Sequence, residues 1–92
     1  MRKIRVCTQK WRGKKKEAFI FDATTSAKDV SITQDGTTTF PFQEGAPVTI
    51  TATQTKRCHL IDERGTFTYY AEPCGKRRKP HPLGNPRIVV IG

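Results

Sequence analysis

No stretch of this chain approaches the length of a membrane-spanning segment, so neither a transmembrane helix nor a membrane partner is expected. Hydrophobic residues are scarce too, at 35% of 92 positions, which limits the chain to one modest core and one domain, residues 1–92. That fraction is nevertheless high enough for a folded chain rather than a disordered one. No Cys-x-x-Cys pair occurs, and the odd count of cysteines, Cys7, Cys58 and Cys74, argues against a framework built of disulfides alone. No apolar leader follows Met1, because Lys10, Arg12 and Lys14–Lys16 interrupt it; the expectation is a cytoplasmic chain with reduced thiols. Phosphate-binding glycine loops and the aromatic signatures of ribonucleoprotein domains are missing. The two histidines and eight acids show no spacing that pairs a nucleophile with a base, so an enzyme is not expected.

Acidic residues are absent from one part of the chain altogether. Residues 1–16 hold eight cations and no acid. Residues 17–55 carry a net charge of −4, and residues 56–92 a net charge of +5. The total is +9, with a pI of about 10.0. Such a balance points to a polyanionic partner, nucleic acid among them. If the two basic ends lie side by side, one face becomes strongly positive.

No segment sustains a helical period. Short apolar runs separated by turn residues predict strands near 3–8, 17–23, 29–33, 37–42, 47–53, 57–61, 65–71 and 87–91. Ala18-Phe19-Ile20-Phe21 is apolar on both faces, as a central strand would be. Asp35-Gly36 predicts a hairpin between Ile32 and Phe40. Regular short strands of this kind predict an all-β fold, a small antiparallel β-sandwich of seven to eight strands. The Pro-rich stretch from Pro80 to Pro86 predicts a loop.

Three segments together resemble the cupredoxin family. They are Phe42-Gln43-Glu44-Gly45-Ala46-Pro47-Val48-Thr49-Ile50, Cys58-His59-Leu60-Ile61 and Gly65-Thr66-Phe67-Thr68-Tyr69-Tyr70; Arg87–Ile91 fits the family's last strand. The resemblance covers roughly half the chain and implies a cupredoxin-like Greek key. It does not carry the copper chemistry. A blue-copper site needs one thiolate and two imidazoles, usually with an axial Met. Here Ala71 stands where the ligand Cys would be and Cys74 where the next His would be, and the chain's only Met is Met1.

Four soft ligands remain: Cys58, His59, Cys74 and His81. They offer an alternative reading, a copper or zinc site. Neighbours on a strand face opposite ways, so only one of Cys58 and His59 could join a shared ion. Two simpler readings stand beside it, a buried Cys58 thiol and a Cys58–Cys74 disulfide. No cofactor is expected under the leading reading, a non-enzymatic module that binds nucleic acid or another polyanion through Lys10, Trp11, Arg12, Lys14, Lys15 and Lys16. Their cations neutralise phosphates, and Trp11 either stacks on a base or folds onto the edge of the core. Lys76, Arg77, Arg78 and Lys79 would widen that patch if the fold brings them close. A further alternative is a protein-interaction domain docking through the apolar last strand.

Overall fold

Alternation of apolar and polar residues builds this domain strand by strand. The computed structural model describes residues 1–74 and 86–92. Among them are eight strands and no helix: β1 (Lys3–Arg5), β2 (Lys10–Lys14), β3 (Ala18–Asp22), β4 (Val30–Gln34), β5 (Val48–Ile50), β6 (Thr55–His59), β7 (Gly65–Glu72) and β8 (Arg87–Ile91). They form a three-stranded sheet, β1-β3-β6, and a five-stranded sheet, β2-β8-β7-β4-β5. The expected all-β sandwich is the fold, and the described residues include no helix long and apolar enough to cross a membrane.

The inner faces follow the period of two that strands impose. Phe19 and Phe21 of β3 point inward, as do Val30 and Ile32 of β4, Phe67, Tyr69 and Ala71 of β7, and Ile88 and Val90 of β8; all are buried. Phe19, Phe21, Phe42 and Tyr69 form an aromatic centre in which neighbouring rings lie 4.9–6.5 Å apart, mostly edge to face. That is the geometry ring quadrupoles favour. Burial of each such side chain contributes about 1.5–3 kcal/mol.

Three expectations are corrected. First, the sandwich is mixed rather than antiparallel: β1 pairs parallel with β3, and β2 parallel with β8. The cause is the turn at residues 6–9, which carries the chain from one sheet to the other. Thr8 N–H donates to the Arg5 carbonyl at 3.0 Å, and the chain then enters the second sheet as β2. Second, β2 lies between the expected strands 3–8 and 17–23, where no strand was predicted. Its sequence alternates Lys10, Arg12 and Lys14 with Trp11 and Gly13, but Gly13 hides the apolar period. Third, residues 37–42 form no strand. Asp35-Gly36 does turn, with Gly36 at φ 58° and Thr38 N–H bonded to the Asp35 carbonyl at 3.0 Å. The chain beyond it makes only an isolated bridge, Phe42 to Leu60. Pro41 is buried beside that bridge and has no N–H to extend a ladder.

The cysteines also pair differently. Cys7, in the sheet-switching turn, is disulfide-bonded to Cys74, just beyond β7, with their Cα atoms 5.2 Å apart. Cys58 is a free, buried thiol. Two of the three thiols expected to be reduced are therefore joined, and Cys74 takes Cys7 rather than Cys58.

Candidate polyanion-contact face

The sheet-switching turn decides the face of β2. Once Trp11 and Gly13 point inward, Lys10, Arg12 and Lys14 must point outward, and all three are exposed. Same-face residues of a strand repeat about every 6.6–6.8 Å, so the three cations make a regular ladder. Register extends it across the sheet: Lys10 lies beside Arg87, Arg12 beside Val89 and Lys14 beside Ile91. Thr66 and Thr68 of β7 continue the Val89 and Arg87 rows. Val89 and Ile91 are 37% and 41% exposed, so an apolar stripe borders the cations.

Trp11 anchors this strand from beneath. Its ring stacks at 6.3 Å on Phe42 and meets Phe19 edge-on at 4.9 Å. Its indole N–H donates to the Tyr69 hydroxyl at 2.9 Å, and the Arg2 guanidinium lies 5.7 Å from the ring centroid. Burial pushes the Tyr69 phenol up to about 12, so at neutral pH it is a neutral acceptor. Trp11 is half-buried against the core, as the core-edge reading of this residue expected. The ring is already committed on its faces and at its N–H.

Gly13 is needed for the same packing. A Cβ there would lie 2.6 Å from Leu60 Cδ1 and 3.0 Å from the Arg2 guanidinium. The free edge of β2 is closed by side chains. Arg2 donates to the Arg12 carbonyl at 2.6 Å, and Glu17 Oε1 accepts from the Lys14 N–H at 2.9 Å. Arg2 and Glu17 are themselves an ion pair at 3.3 Å. An added strand would have to displace both, so β2 presents a face rather than an edge.

The remaining predicted cations divide. Lys15 and Lys16 both approach Asp62, at 3.8 and 3.5 Å, and are partly neutralised by it. Lys10, Arg12 and Lys14 have no carboxylate partner within ion-pair distance among the described residues. Lys76, Arg77, Arg78, Lys79 and His81 lie outside the described residues. The residues that flank their segment meet the turn that precedes β2: Cys74 is bonded to Cys7, and Arg87 N–H donates to the Gln9 carbonyl at 2.8 Å. Arg87 was not singled out from the sequence. Nothing local marks it, because only the β2–β8 register sets it beside Lys10.

The three alternative metal ligands among the described residues, Cys58, His59 and Cys74, are dispersed. Cys58 faces the core, and burial pushes its thiol up to about 12, with Glu44 nearby adding to the rise. A thiol held protonated is a poor ligand and a poor nucleophile. His59 occupies the opposite face of β6, with Nδ1 2.8 Å from Glu44 Oε2 and its backbone N–H donating to Glu44 Oε1 at 3.0 Å. The Cys74 sulfur is committed to Cys7. Among the described residues, no three His, Cys, Asp or Glu side chains converge as a metal site.

No protein-family model matches this sequence, and no curated protein matches it.

Proposed function

We propose that this domain is a non-enzymatic, cupredoxin-like binding module that engages nucleic acid or another polyanion through the outer face of β2. The observation that carries the reading is the ladder Lys10, Arg12 and Lys14. The three cations share one exposed face, and no carboxylate among the described residues pairs with them. Phosphates placed against them release condensed counterions, which is the main source of such affinity. Arg87 on the adjacent strand lengthens the cationic row. The cupredoxin likeness is supported by the arrangement of β7 and β8. These strands, which the resemblance sets on either side of one loop, are antiparallel neighbours.

The test is binding of fluorescent 20-base single-stranded and 20-base-pair duplex DNA by anisotropy across a salt series. Affinity is expected to fall steeply with salt. Replacing Lys10, Arg12 and Lys14 together by Ala should flatten the duplex log–log slope by about 0.9 for each phosphate that these side chains neutralise. Absence of binding to either DNA at low salt would refute the reading.

A further inference from the structure

A second cationic surface lies on the opposite side of the sandwich. In the three-stranded sheet, Ile4, Phe19, Phe21 and Cys58 point into the core, so Lys3, Arg5, Ile20, Asp22 and Arg57 point outward. Register aligns Lys3 with Ile20 and Ile20 with Arg57, and the next outward row runs from Arg5 to Asp22. Lys3 and Arg57, more than fifty positions apart in sequence, thus stand about two strand spacings apart, roughly 10 Å. Lys3 and Arg5 are separated by about 6.6–6.8 Å along β1. All three cations are exposed.

Two carboxylates lie near this surface, and the ionised Asp22, opposite Arg5, also attracts Lys3 and Arg5 at longer range. Asp22 Oδ1 accepts from the Thr24 N–H at 2.8 Å and from its hydroxyl at 2.6 Å. Glu44 receives both the His59 N–H and its ring Nδ1. Lys3, Arg5 and Arg57 have no ion-pair partner within 4.0 Å among the described residues. They surround the half-buried Ile20 with donors that an incoming phosphate chain can accept from.

We infer that Lys3, Arg5 and Arg57 form a second phosphate-binding face, and that one molecule of this protein bridges two nucleic-acid segments. The inference rests on the polyanion reading of β2. Its geometric basis is that the outer faces of two stacked sheets point in opposite directions. The thinnest Cα extent of the domain is 19 Å. A single short duplex lying on the β2 ladder cannot also reach Arg57 through the sandwich. A second duplex can, and the protein between them neutralises the phosphates of both.

The experiment mixes donor-labelled and acceptor-labelled 20-base-pair DNA duplexes with the full chain. Anisotropy reports binding, and energy transfer between duplexes reports bridging. The wild-type protein is expected to give transfer that rises at substoichiometric protein and falls when protein is in excess. K3A/R5A/R57A should lose most of the transfer while its anisotropy affinity falls less than about tenfold. The single variant R57A leaves the neighbours of Asp22 intact and should lose part of the transfer; circular dichroism checks that both variants fold. Binding without transfer at any ratio would overturn the bridging inference and leave the β2 reading standing. So would undiminished transfer in K3A/R5A/R57A, since two copies, each holding one duplex on its β2 face and paired through another surface, would then explain the signal. Absence of binding at low salt would overturn both.

Discussion

Removing the Cys7–Cys74 disulfide is expected to bring this domain close to unfolding. The two cysteines are 67 positions apart, so the bond closes most of the chain into one loop. In the chain-entropy treatment a loop of that size restricts the unfolded ensemble by about 4 kcal/mol. A domain of 92 residues is ordinarily stable by about 5–14 kcal/mol, so the bond supplies a large fraction of the total. Cys7 is exposed and Cys74 half-buried, which keeps the packing cost of C7A/C74A small beside the entropic term. For a domain of this size 1 kcal/mol shifts Tm by about 4–8 °C, so the variant should melt about 15–30 °C below the oxidised wild type. Circular dichroism against temperature measures this, with reduced wild type as a second comparison. Urea unfolding adds a diagnostic: an unfolded chain freed of its loop exposes more surface, so the m-value should rise. A Tm within about 5 °C of wild type would refute the reasoning, because closing this loop would then contribute about 1 kcal/mol or less rather than about 4.

Three further outcomes follow from named contacts. G13A should lose about 1–3 kcal/mol in urea unfolding, because its methyl group would meet Leu60 Cδ1 at 2.6 Å in a packed interior; a loss below about 0.5 kcal/mol would show that Leu60 yields freely. Thiol titration of the unreduced protein should find no reactive thiol in the native state and one after denaturation, since Cys58 is buried with its ionisation pushed up to about 12; prompt native reactivity at pH 8 would contradict that burial. Thr24 holds the Asp22 carboxyl below its usual 3.8, chiefly through the side-chain hydrogen bond, with Lys3 and Arg5 adding smaller effects. The stability this contributes is present above the unfolded-state value and is lost as pH falls through the lowered folded-state value, so D22N should flatten the acid limb of the stability profile below about pH 4, and an unchanged limb would remove the argument.

Much of the fold was legible because period-two alternation is a local property. Phe19 and Phe21, Phe67 and Tyr69, and Ile88 and Val90 announce strands whose inner faces are what they promise. Residues 10–14 misled because β2 carries charge on one face and offers only Trp11 and Gly13 on the other. Position 13 carries glycine because Leu60 occupies the space a side chain would need, and that is a tertiary fact. Residues 37–42 misled in the opposite direction. Phe40 and Phe42 carry a strand-like alternation, yet Phe42 is held through ring packing and one bridge around the buried Pro41.

The candidate site divides the same way. Lys10, Arg12 and Lys14 were visible as a cation-rich run, but their common face was not, because it depends on Trp11 turning inward to Tyr69. Arg87 and the trio Lys3, Arg5 and Arg57 were invisible as groups, since register between distant strands is not written in either strand alone.

What the amino-acid sequence determined by itself is the all-β character, the strong positive charge and the identity of most core aromatics, because each depends on composition or on a pattern spanning a few residues. Which sheet each strand joins, the parallel pairing of β1 and β2 with their partners, the choice of Cys7 for Cys74, and the direction in which each cation points were decided only by the tertiary structure. Of these, the sheet that β2 joins and the side its cations face require the turn at residues 6–9 to pass the chain between sheets. One such turn reverses which side of the molecule the following side chains face.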